Sequence, residues 1–190
     1  MNKVLHPFHL GRDGSVLVLI DAQDGMMKAM EPSTKKKVIK NINLLVSLAQ
    51  RLALPILVTE QYPRGLGKTI PELQEALGDD YHPIEKVSFS CCGEQAFNAK
   101  LKESNAKWVV LAGVESHVCV LQTALDLLAG SYTVHVASDA VCSRSRLDWE
   151  VGLRLMEKAG AVISSTEILI FELLVEAGTD EFKAMSKLLK

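Results

Sequence analysis

Short runs of apolar, mostly β-branched residues punctuate the chain at 15–20 (SVLVLI), 55–58 (PILV), 108–112 (WVVLA), 132–137 (YTVHVA) and 161–163 (AVI). They lack polar alternation, the pattern of strands covered on both faces. Between them, apolar residues recur at helical spacing over 34–52, 94–104, 117–129 and 146–159. A last helical pattern covers 166–177 and continues past Gly178-Thr179-Asp180 to Lys190. Gly130 and Gly160 stand where helices should stop, and Pro55 follows another helix end. Strands alternating with helices predict βαβ units, hence an α/β fold whose parallel sheet carries helices on both sides. The longest loop-like piece, 61–71 (QYPRGLGKTIP), is rich in Gly and Pro and predicts a wall or lid at one end of the sheet.

A chain of 190 residues without repeat, low-complexity tract or linker reads as one domain, 1–190, with a large core of its own. Its formal charge of −2 and pI near 6.2 provide no field for nucleic acid or a membrane surface. The one dense basic run, Lys35-Lys36-Lys37, opens a helical pattern and reads as a solvated face. Residues 1–10 lack a signal-peptide core, and no segment approaches the roughly 18 apolar residues of a membrane span. The expectation is a soluble, cytoplasmic protein. Four cysteines, two of them adjacent at Cys91-Cys92, are too sparse for a disulfide framework. Each thiol is therefore expected reduced, as packing or as chemistry.

In a doubly wound sheet, ligands bind beyond the carboxyl ends of the strands. Asp21, Glu60, Glu115, Asp139 and Thr166 fall at or just after such ends. Asp21 reads as a functional carboxylate or a helix N-cap, and Asp139 reads more simply as a turn residue. Cys119 falls in the first turn of a helix if that helix starts near Ser116 or His117, and the free N–H groups there favour thiolate. A small buried hydrophobe is the competing reading. Cys91, Cys92 and Cys142 read as packing or incidental surface thiols.

A thiol nucleophile needs a proton acceptor and donors for the developing oxyanion. No histidine suits the first role: His6 and His9 lie in the N-terminal arm, His82 precedes a proline, His135 is inside a strand, and His117 is two residues from the thiol. A carboxylate must be considered instead. In "HPIEKVSFS", Lys86 is flanked by apolar residues, where a lone ammonium is costly unless paired or solvated. Asp21, Lys86 and Cys119 meeting on one rim would form a coherent set of base, cation and nucleophile.

With "VLIDAQDGM", "EKVSFS" and "LAGVESHVCVLQTALDL", the chain resembles the isochorismatase-like hydrolase superfamily, or cysteine hydrolases, over nearly its whole length. "LVTEQYPRGLGKTIPEL" is similar to the branch of isochorismatase domain-containing proteins. The resemblance implies a three-layer α/β/α sandwich with a six-stranded parallel sheet in the order 3-2-1-4-5-6. It implies a catalytic triad of Asp21, Lys86 and Cys119 that cleaves a C–N bond of a small amide- or ureido-type substrate through a thioester. It also implies a cis peptide at Val114-Glu115 and an oxyanion hole made by the amides of Glu115 and Cys119.

Nicotinamidases of the superfamily hold a metal through an Asp and histidines after the second strand, where this chain has Thr59-Glu60-Gln61-Tyr62. Neither a catalytic metal nor a cofactor is expected. Gln23, Tyr62, Phe89 and His117 lie next to the matched motifs and are expected to bind substrate, with core packing the alternative for Phe89 and a structural hydrogen bond for Gln23. Two other functions stay open: an isochorismatase-type C–O (vinyl ether) hydrolase that does not use Cys119, and a non-catalytic small-molecule-binding oligomer. The resemblance and the apolar "ILIFELLVEA" predict a homo-oligomer. The remaining expected partner is a small-molecule substrate, with no nucleic acid and no membrane.

Overall fold

The computed structural model describes residues 8–189, so most of the N-terminal arm, with His6, lies outside the described residues. The chain runs β1 (Ser15–Ile20), α1 (Asp24–Lys28), α2 (Pro32–Arg51), β2 (Ile56–Gln61), α3 (Pro63–Leu66), α4 (Pro71–Leu77) and β3 (Ile84–Lys86). It continues through α5 (Gln95–Glu103), β4 (Trp108–Val114), a π-helical turn (Ser116–Val120), α6 (Leu121–Ala129), β5 (Thr133–Cys142), α7 (Arg146–Ala159), β6 (Val162–Ser164), α8 (Thr166–Leu174) and α9 (Asp180–Leu188). The described residues form a six-stranded sheet in the order β3-β2-β1-β4-β5-β6, with every pairing parallel. This is the α/β order that the resemblance implied.

Alternation along the central strands divides their side chains between two cores. Leu17 and Leu19 of β1 join Val110 and Ala112 of β4 in packing against α2 and α8. Val16, Val18 and Ile20 face the other way, with Val109, Leu111, Val134 and Val136, against α5, α6 and α7. All six residues of β1 are buried, so this strand needs apolar side chains on both faces and offers polar chemistry only beyond its end. Among the described residues, no helix is long and apolar enough to cross a membrane.

The structure departs from the apolar pattern in three places. β3 is an edge strand of three residues that alternates buried, exposed, buried, too short to register as an apolar run. β5 runs on to Cys142, past a register shift against β4, so Asp139 lies inside it and not in a turn. There Asp139 Oδ1 accepts from both Thr166 N and Thr166 Oγ1 at 2.8 Å, which ties β5 to the start of α8. The segment after Gln61 is ordered by the short helix α3 and by the start of α4.

Candidate active site

Asp21 follows the last residue of β1 and takes a left-handed backbone, φ 49°. Its N–H donates to Thr59 O at 3.2 Å, and its side chain is sealed from solvent. Lys86 closes β3, opposite Gln61 of β2, and its ammonium reaches across β2 toward Asp21. Nζ has four oxygens within 3.1 Å: Asp21 Oδ2 at 2.7, Gln61 Oε1 at 2.7, Phe89 O at 3.0 and Ser88 O at 3.1 Å. An ammonium has three protons. Asp21 Oδ2 is the oxygen left without a hydrogen bond of good geometry, so charge holds it in the ion pair and a lone pair stays open.

Strand order brings the thiol to this pair. β4 lies beside β1 with Gly113 opposite Ile20, and the turn after β4 therefore starts next to Asp21. Only glycine fits at 113, where φ is 115° and a Cβ would overlap the Ile20 carbonyl oxygen. The peptide Val114-Glu115 is cis. The π-helical turn carries Cys119, and Gly152 of α7 lets that helix rest against the turn: a Cβ there would lie 3.0 Å from Ser116 O.

The buried Cys119 thiol lies within electrostatic reach of both Asp21 and Lys86. Burial pushes the thiol up to about 12, the Asp21 charge pushes the same way, and Lys86 only partly opposes them. The expectation of a thiolate favoured by a helix start is corrected here. The turn is π-helical, and Glu115 O takes the N–H groups of Val118 and Val120 at 3.1 and 3.2 Å. Desolvation beside an anion outweighs what remains of the turn's positive end. The resting site thus sets a protonated thiol near the Asp21–Lys86 ion pair.

Residues 15–168 match the family model of the isochorismatase domain. The chain belongs to the isochorismatase-like hydrolase family. Over 156 residues it is 42% identical to the secreted isochorismatase effector Isc1 of Phytophthora sojae, covering 80% of this chain and 74% of that protein. Isochorismatase domain-containing protein 2 of Xenopus laevis is 34% identical over 180 residues, 95% of this chain and 85% of its own. Among solved structures, the MAR1 ribonuclease of Caenorhabditis elegans superposes with a TM-score of 0.88 at 37% identity, covering 95% of this chain and 92% of that one.

The other residues singled out in this isochorismatase-like chain are disposed unequally. Gln23 is fully buried: its Nε2 donates to Gln61 O at 3.0 Å and Gly67 O at 2.6 Å, while its Oε1 accepts from Gln61 N at 2.7 Å. That side chain fastens the 61–71 segment beside the site. Tyr62 and Phe89 are about half exposed, at 55% and 54%, on the segments that flank Lys86. His117 is partly buried and pairs through Nδ1 with Ser143 Oγ at 2.9 Å. The Glu115 carboxylate accepts from Arg144 N at 3.1 Å and Arg144 Nε at 2.9 Å, which fixes the residue whose carbonyl faces the turn.

After β2, the acid Glu60 is buried, and its Oε1 accepts from Thr69 N, Thr69 Oγ1 and Tyr81 Oη at 2.7, 2.9 and 2.6 Å. Among the described residues, no cluster of three or more His, Cys, Asp or Glu side chains could hold a metal ion. Sequence reasoning passed over Thr59, Gln61 and Arg144. A β2 that ends level with β1 in a doubly wound sheet was the signal for the first two.

Proposed function

We propose that this protein is a metal-independent cysteine hydrolase that opens a C–N bond of a small amide- or ureido-type substrate through a thioester on Cys119. The observation that carries this reading is the fully buried Asp21–Lys86 ion pair, with the buried Cys119 thiol near enough to feel both charges. In the first half-reaction Asp21 takes the thiol proton as sulfur attacks the carbonyl carbon, and the backbone N–H groups of Glu115 and Cys119 receive the oxyanion. Asp21 then returns its proton to the leaving nitrogen as the C–N bond breaks. In the second, Asp21 takes a proton from water as water attacks the thioester, and the expelled sulfur recovers that proton. Lys86 stays paired with Asp21 throughout and balances its charge. Glu60, tied up by Thr69 and Tyr81, supports the metal-independent form.

The test is a screen of small amides and ureides with mass detection of an acyl adduct on Cys119. The reading requires an adduct that Cys119→Ala abolishes together with turnover, a loss of at least about 10⁴-fold. The name of the matching family model favours a second reading, C–O cleavage of a vinyl ether in which Cys119 plays no part. Isochorismate turnover that survives Cys119→Ala and fails in Asp21→Asn would establish it. The ribonuclease name of the Caenorhabditis elegans structure finds no support in the charge of this chain, which is −2 overall. Leu147, Val151 and Leu155, one helical turn apart and exposed along α7, support assembly with copies of itself, to be read as the mass in solution.

A further inference from the structure

Asp21 is gripped by a residue that the mechanism above leaves out. Thr59 closes on it twice: its carbonyl accepts the Asp21 N–H at 3.2 Å, and its hydroxyl donates to Asp21 Oδ1 at 2.8 Å. Both residues are fully buried, so water has no access to replace the hydroxyl. The direction of the bond is fixed from its far side. The Cys91 thiol, also fully buried, donates to Thr59 Oγ1 at 3.7 Å, and a carboxylate can only accept. Cys91 is itself located by its N–H, which donates to Thr123 Oγ1 at 3.0 Å, one turn beyond Cys119 on the same helical path. A chain of donors thus runs from Cys91 through Thr59 into Asp21, on the carboxylate oxygen that Lys86 does not hold.

We propose that Thr59 is a positioning residue of this site: its hydroxyl, directed by the Cys91 thiol, fixes the orientation of the Asp21 carboxylate in the rim it shares with Lys86 and Cys119. The proposal rests on Asp21 serving as the base. With Oδ1 held by a hydroxyl and Oδ2 by an ammonium, the carboxylate cannot rotate without losing one of them. A hydrogen bond to the charged form also favours that form. Thr59 therefore sets both where the base points and how readily it accepts a proton.

The experiment is a carbon NMR titration of the Asp21 carboxyl in aspartate-labelled protein, with the signal assigned by its loss in Asp21→Asn. It is read beside acylation of Cys119 by p-nitrophenyl acetate. Thr59→Val is expected to raise the Asp21 midpoint by about one pH unit and to move the acid limb of Cys119 acylation by the same amount. Thr59→Ser, which keeps the hydroxyl, is expected to leave both where the parent has them. Thr59→Ala is a second hydroxyl-free variant with the same expectation as valine. An Asp21 that titrates as in the parent once the hydroxyl is gone overturns the proposal. Absence of Cys119 acylation in the parent removes the hydrolase reading instead, and the NMR titration still decides whether Thr59 tunes Asp21.

Discussion

Lys86 Nζ stands 2.7 Å from Asp21 Oδ2, and neither side chain has any exposure to solvent. Removing one partner of such a pair leaves a bare charge in the core, at a cost of about 3–5 kcal/mol. Lys86→Met is therefore expected to lower the free energy of urea unfolding by that amount. Asp21→Asn combined with Lys86→Met should recover most of it, because no charge is then left alone. A double variant no more stable than Lys86→Met would contradict this account.

The same pair governs the thiol. After burial, the Asp21 charge is what raises Cys119 most, and Lys86 acts in the opposite sense. In Asp21→Asn the negative neighbour is gone and the cation remains, so Cys119 should ionise below its parent value of about 12. The ultraviolet absorbance of thiolate, taken as the difference from a matched Cys119→Ala protein, reads this directly. With Asp21 as the proposed base, turnover should fall as thiolate rises.

Stability should decline at alkaline pH. Burial pushes Cys91, Cys119 and Cys142 from an ordinary value near 9 up to about 12. The unfolded chain therefore releases these protons first, and the stability they confer is complete below about pH 9 and is lost as pH climbs toward 12. Each thiol contributes a slope of up to about 1.4 kcal/mol per pH unit within that window. Urea midpoints measured across it should fall less steeply in Cys142→Ala, which lies outside the proposed machinery. An unchanged slope would count against the burial argument.

Gly113→Ala is expected to be severe for so small a change. The new methyl would meet the Ile20 carbonyl oxygen and would have to adopt φ 115°. Overpacking of this kind costs about 1–3 kcal/mol, and an unsuitable backbone adds to it. A thermal melt should drop by several degrees or more. Because Gly113 abuts the residue before Asp21, the Asp21–Lys86 pair should be disturbed as well.

The hydrophobic pattern made the sheet legible, since β1, β4 and the first part of β5 are buried on both faces and read as unbroken apolar runs. It could not show β3, whose three residues include the exposed Glu85 and the buried cation Lys86. Strand order came from resemblance and not from pattern, because periodicity carries no information about which strands are neighbours. The polar residues at strand ends marked the rim where Asp21 and Lys86 meet but not the uses of each. Asp139 and Glu60 fasten backbone segments, and whether a rim carboxylate does so depends on partners distant in sequence, such as Thr166 and Tyr81. The state of Cys119 was misjudged for a related reason. A helix start can be read locally, whereas the desolvation that outweighs it comes from the whole fold.

A thiol kept in its protonated form has a bearing on durability. Peroxides attack thiolates, and the first step toward sulfenic acid is slow for a thiol. With Cys119 held up to about 12 beside Asp21, the resting protein presents oxidants with little of the reactive species. On the proposed mechanism the sulfur becomes vulnerable only in the interval when Asp21 has taken its proton, which is also when an acyl group is at hand to cap it.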